Sequence, residues 1–156
     1  MRVSPIPVAI MIVVALSFLN ACSPPVDDLK DVDPGVSLAL AERRAATISA
    51  INYDLSFDIP ADVAAPIAAT VKVSFDLSDT SEAIQLDFRE SAGKIHAVEV
   101  NGATSAFEFI SEHIVIPASE VVSGRNIIDI AFEAGSSSLN RNPDYLYTLF
   151  VPDRAR

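Results

Sequence analysis

Between residues 51 and 59 the chain reads INYDLSFDI, so that Ile51, Tyr53, Leu55, Phe57 and Ile59 alternate with Asn52, Asp54, Ser56 and Asp58. Successive side chains of an extended strand point to opposite faces, so this period-two pattern puts every apolar residue on one side. Pro60 ends the run, because proline cannot donate to a strand ladder. The same period returns downstream. Val71, Val73, Phe75 and Leu77 alternate with Lys72, Ser74 and Asp76, and Ile84, Leu86 and Phe88 with Gln85, Asp87 and Arg89. Ile95 to Val100 forms a further strand with a phase slip near Ala97-Val98, as a bulge would produce. Asn101-Gly102 is a turn signal. Phe107 and Phe109, then Ile114 and Ile116, predict a hairpin around Ser111-Glu112. After a turn at Ser123-Gly124, Ile128, Ile130 and Phe132 face one way and Asp129 and Glu133 the other. A last strand is predicted from Tyr145 to Val151. Short, half-polar strands at near-regular spacing predict an all-β fold, an antiparallel β-sandwich on one core with one wet face per strand. Only Val36 to Thr47 breaks the period. Ser37 is placed to cap a short lead-in helix, with Glu42, Arg43 and Arg44 on its wet side.

The start of the chain follows other rules. Arg2 is the only charge before Asp27, and apolar residues dominate from Ile6 to Leu19. That run is shorter than the roughly 18–20 residues a helix needs to cross a hydrocarbon core. One positive charge, a short apolar stretch and small residues at its end describe a signal peptide over residues 1–21. Leu19-Asn20-Ala21-Cys22 resembles the bacterial lipobox, which is cut before a cysteine that then carries lipid. Leu19 and Ala21 fit that pattern, whereas Asn20 departs from its usual small or hydroxyl residue. The alternatives are ordinary secretory cleavage near Ala21, or a buried free thiol. Cys22 is the only cysteine, so no disulfide can form within the chain. The lipobox resemblance implies a diacylglyceryl group plus an amide-linked chain on Cys22, and hence a membrane partner. Each buried methylene contributes about 0.8 kcal/mol, so several chains hold firmly where one does not. Ser23, where Asp would favour retention at the inner membrane, points to the outer membrane. The expected location is the bacterial cell envelope, facing the periplasm. Residues 22–35, rich in Pro and Asp, read as the lipidated cysteine and a tether.

Charge and missing motifs narrow the function. The net charge is −10 and the isoelectric point near 4.4. Both argue against nucleic acid as a partner, and against basic-patch adhesion to anionic lipid. His96 and His113 belong to no H-E-x-x-H motif and to no i, i+4 pair, and read as ordinary surface or edge histidines. A zinc site needs three or four convergent ligands, and a lone lipidated cysteine leaves too few. Asp76, Asp79 and Glu82 lie near one strand end but lack the spacing of a calcium loop. No nucleophile elbow or phosphate-binding loop is present. No catalytic residue and no cofactor is therefore expected in this chain.

Two stretches carry a family resemblance. One runs from Leu40 to Ile48 (LAERRAATI) and leads into Tyr53–Asp58 (YDLSFD). The other is Leu139–Arg156 (LNRNPDYLYTLFVPDRAR). Both resemble the N-terminal domain of M1-family zinc aminopeptidases, the aminopeptidase N group, over residues 36–156. The resemblance implies a saddle-like β-sandwich packed over a thermolysin-like catalytic domain, which would bind zinc and act on peptide substrates. That domain's H-E-x-x-H helix and Gly-x-Met-Glu-Asn motif do not occur here. The only methionines are Met1 and Met11. The expectation is a non-catalytic first domain whose catalytic domain is absent, the chain stopping at Arg156. Many family members carry Thr-Gln-x-Glu at the edge of the substrate pocket. The matching run here is Thr148-Leu149-Phe150-Val151, so Leu149 and Val151 become candidate pocket-edge residues of apolar character. The alternative is a free-standing β-sandwich envelope lipoprotein serving as a binding or scaffold module.

Overall fold

The computed structural model of the chain describes residues 32–135 and 139–148. The lead-in helix α1 spans Leu38–Thr47. Ser37 caps it as its position requires, its hydroxyl accepting from the Leu40 amide at 3.2 Å. Ten strands follow among the described residues: β1 Ile48–Asp58, β2 Ile67–Leu77, β3 Ile84–Asp87, β4 Ile95–Val100, β5 Ala103–Thr104, β6 Glu108–Ile110, β7 His113–Ile116, β8 Gly124–Ala134, β9 Asn140–Arg141 and β10 Leu146–Tyr147. They form a five-stranded sheet in the order β1-β2-β8-β4-β5, a three-stranded sheet in the order β3-β7-β6, and a small β9-β10 ribbon. Every pairing is antiparallel. The chain is thus an all-β, sandwich-like fold behind one short helix.

The core lies between the two larger sheets. Val73, Phe75, Leu77, Val98, Val100, Ile128 and Ile130 of the wide sheet meet Ile84, Ile114 and Ile116 of the narrow one. Full burial of one such side chain stabilises by about 1.5–3 kcal/mol. Phe88 packs edge-on against both Phe109 and Phe132, with ring centroids 6.3 and 5.7 Å away. The turns follow the expected chemistry at Asn101-Gly102, where both residues have positive φ. The hairpin at Ser111-Glu112 takes the same left-handed pair, at φ 50° and 65°, without asparagine or glycine. The bulge expected in β4 falls between Ile95 and Ala97.

Three features depart from the period-two reading. First, β7 is buried on both faces. Its outer side is closed by Val32, Ala83 and the half-buried Ile110, which pack on Val115. Second, Arg43 and Arg44 are half-buried rather than on the wet side of α1. Arg43 forms an ion pair with Glu82, and Arg44 reaches Asp87 and the Gln85 carbonyl on β3. Third, β1, the most clearly alternating segment, is exposed on both faces. The buried core residues of the wide sheet come from β2, β8 and β4, and of β1 only Ile48 packs against them, so the apolar side of β1 beyond Ile48 overhangs the core.

Candidate functional site

The run after β8 is fastened to the wide sheet by one side chain. Arg141, on β9, donates to the carbonyl oxygens of Ala65 (3.1 Å), Asp62 (2.7 Å) and Pro60 in the turn that joins β1 to β2. Guanidinium presents several donors in a fixed plane, which suits it to gather the free carbonyls of a loop. Leu139 is buried beside it. Asn142 then folds the chain back. Its side-chain oxygen accepts from the amides of Asp144 (3.0 Å) and Tyr145 (3.1 Å), and its own amide donates to the Tyr145 carbonyl at 3.0 Å. This Asx turn closes the β9-β10 ribbon and leaves Tyr145, Leu146 and Tyr147 exposed. The strand predicted from Tyr145 to Val151 is represented among the described residues by Leu146–Tyr147 alone.

The outer face of the wide sheet is polar and open. One cross-strand row brings Asp54, Lys72, Asp129 and Glu99 into register across β1, β2, β8 and β4. Lys72 lies 3.5 Å from Asp129. Ser56, Thr70, Ala97 and Ala131 complete a shallow depression of about 540 Å³ over this row. Arg125 edges the same face. It donates to Ser74 Oγ at 2.7 Å and to the Ala50 carbonyl at 3.3 Å, and so braces the bulge at Ala50, whose φ is +50°.

A second polar group sits where α1 meets the narrow sheet. Arg44 holds Asp87 through two hydrogen bonds of 2.7 and 3.3 Å. The same carboxylate faces His113 Nε2 at 3.3 Å. His113 is 1% exposed and its Nδ1 lies 2.8 Å from the Ser111 carbonyl. That contact requires a proton on Nδ1, since a carbonyl only accepts. His113 is thus neither a surface nor an edge histidine, because β7 is the middle strand of its sheet. His96 is exposed on β4. Burial lowers the basicity of the Arg43 guanidinium, and the neighbouring charge of Arg44 lowers it further.

Asp76, Asp79 and Glu82 do not converge. Asp76 faces Arg125 at 3.6 Å, Glu82 pairs with Arg43, and Asp79 accepts from the Ser81 amide at 2.9 Å. Among the described residues no group of three or more His, Cys, Asp and Glu side chains is placed to hold a metal ion. None of the helices among those residues is long and apolar enough to cross a membrane. Leu19, Asn20, Ala21 and Cys22 lie outside the described residues, and so do Leu149 and Val151. The Arg141 clamp and the overhang of β1 were not singled out from sequence. The only sequence signal for the clamp is an arginine within an Asn-rich turn. No family model matches this chain, and no curated protein matches it.

Proposed function

We propose that this chain is the non-catalytic N-terminal β-domain of a lipid-anchored M1-family zinc aminopeptidase. The full-length enzyme would remove N-terminal residues from peptides at the bacterial cell envelope. The observation that carries the reading is the run Leu139–Arg156, which resembles the family's passage into its catalytic domain. Its described part supports this use. Arg141 fixes the start of the run to the β1-β2 turn, and Tyr145 and Tyr147 beyond it are exposed. A domain that hands the chain to a neighbour needs a fixed point of departure and uncovered apolar surface beside it. In this reading Cys22 carries the lipid, Leu149 and Val151 edge the substrate pocket, and zinc belongs to the catalytic domain.

Reading the gene beyond the codon for Arg156 tests it. An in-frame H-E-x-x-H helix with a preceding Gly-x-Met-Glu-Asn segment is the expected result. A stop codon followed by an unrelated gene would overturn it and leave the free-standing envelope lipoprotein. That second reading draws on the open depression over Asp54, Lys72, Asp129 and Glu99, a shape suited to a bound partner.

A further inference from the structure

We infer that β1 is a self-pairing edge, through which two copies of this chain join their wide sheets into one. The strand ends the sheet order β1-β2-β8-β4-β5, so among the described residues its outer edge has no strand partner. An unpaired edge is a template for another strand unless charge, proline or a bulge blunts it. Between Ile48 and Asp58 there is no proline and no lysine, and the two charges, Asp54 and Asp58, both lie on the polar face. The bulge at Ala50-Ile51 disturbs only the beginning, and the register from Asn52 to Asp58 is unbroken. The face of this strand that continues the core is apolar and uncovered, with Tyr53 55% and Leu55 44% exposed.

The sequence of that regular stretch selects a second copy as the occupant, and it selects one register. An antiparallel pair related by a two-fold axis sets one residue opposite itself. The middle of Asn52–Asp58 is Leu55. Centred there, Leu55 meets Leu55 and Tyr53 meets Phe57 twice, all on the apolar face. On the polar face Asp54 meets Ser56 and Asn52 meets Asp58, each twice. Every carboxylate therefore faces a neutral hydrogen-bonding side chain, and all seven regular residues are paired. A shift of the centre by one residue removes this match. Centred on Asp54, the two Asp54 side chains oppose each other. Centred on Ser56, Asp54 opposes Asp58. Like charges directly opposite are destabilising, whereas aromatic and branched apolar pairs stabilise. Apolar matching, charge matching and the bulge-free length agree on Leu55. A seam of two strands is small for a specific interface, so the dissociation constant should be on the order of tens of micromolar. The inference does not depend on the aminopeptidase reading.

Cysteine cross-linking of the purified full chain reads both the contact and its register. In a Cys22→Ser background, Asp54→Cys, Leu55→Cys and Ser56→Cys are oxidised separately. A disulfide needs Cα atoms within about 7 Å, and only the residue on the two-fold axis meets that limit with its own copy. We expect a disulfide-linked dimer for Leu55→Cys alone. In sedimentation, Leu55→Lys should raise the dissociation constant at least about tenfold while keeping the far-ultraviolet spectrum of the parent, since Leu55 is not a core residue. Cross-linking at position 54 or 56 instead, at none of the three, or self-association unchanged by Leu55→Lys would each overturn the inference. A chain that stays monomeric at several hundred micromolar would do the same, and would leave the β1 face to a different domain or protein.

Discussion

The side-chain oxygen of Asn126, a residue with no exposed surface, accepts from the Asn101 amide nitrogen at 3.1 Å and so joins the turn before β8 to the turn after β4. The same oxygen accepts from the Val122 amide at 3.0 Å. The Asn126 amide donates to the carbonyls of Val122 (2.6 Å) and Gly124 (3.0 Å). Asn101 answers from its own side, accepting from the Ile127 amide at 2.9 Å and donating its backbone amide to the Ile127 carbonyl at 2.8 Å. Every hydrogen-bonding atom of the Asn126 side chain is satisfied, which is the condition for burying an amide.

Replacing Asn126 with Leu should therefore be costly although the volumes are similar. It removes the bonds to the Val122 amide, two carbonyls and the Asn101 side chain, and a loss of about 2–3 kcal/mol is expected from several hydrogen bonds at about 0.5–1.5 kcal/mol each. Asn101→Ala should cost about 1 kcal/mol, and the double variant less than the sum, because the two side chains share one bond. Urea unfolding of the four proteins checks this, and strict additivity would show the bond to be idle.

His113 and Arg44 both approach Asp87 and should differ sharply in worth. Removing the buried ring by His113→Ala leaves a cavity and an unpaired Ser111 carbonyl, an expected loss of about 2–4 kcal/mol. Arg44→Ala breaks a pair whose carboxylate is half exposed, and should cost less than about 1 kcal/mol. Thermal unfolding of both variants measures the contrast.

Arg141 secures the β9-β10 ribbon and little of the core. Arg141→Ala should raise amide exchange across residues 139–148 by at least about tenfold while leaving exchange in β2 and β8 unchanged, as local opening does. Arg141→Lys should rescue only part of this, since one ammonium cannot match the guanidinium fork over three carbonyls. Equal acceleration in β2 and β8 would mean that the ribbon belongs to the global unfolding unit.

Asp79 links the β2-β3 loop to pH. The Ser81 amide, and less so its hydroxyl, hold the Asp79 carboxyl below its ordinary value. A carboxyl depressed in the folded state favours folding while ionised. Its contribution is present above the unfolded value of about 4 and fades as the pH falls through the folded value. Asp79→Asn should therefore be less stable than the parent near neutrality, and the gap should narrow on acidification below about pH 4. A gap that widens in acid would refute this assignment.

Lipid attachment is testable without any structure. Labelled palmitate should enter the wild-type chain in a bacterial host and not the Cys22→Ala variant. Equal labelling of both would remove the anchor from the proposal.

The longer strands, the capped helix at Ser37, the Asn101-Gly102 turn and the inward set Val73, Phe75, Ile128 and Ile130 were legible in the chain. Each rests on a local rule, a two-residue period or a cap or turn chemistry that operates over a few residues. What lies beyond such a span was not legible. Nothing within HIVI says that both faces of β7 are covered, because Val32 and Ala83, which cover the outer one, come from elsewhere in the chain. Nothing near Arg141 announces the carbonyls of Pro60, Asp62 and Ala65, about eighty residues earlier. The clearest case is β1. Its alternation determined by itself that Ile51, Tyr53, Leu55 and Phe57 would share one face. Whether that face would be dry depended on the second layer, whose three short strands build the shared core with β2, β8 and β4 and with Ile48 alone of β1. A pleat assigns side chains to sides, but only the packing of a second layer decides which side loses its water.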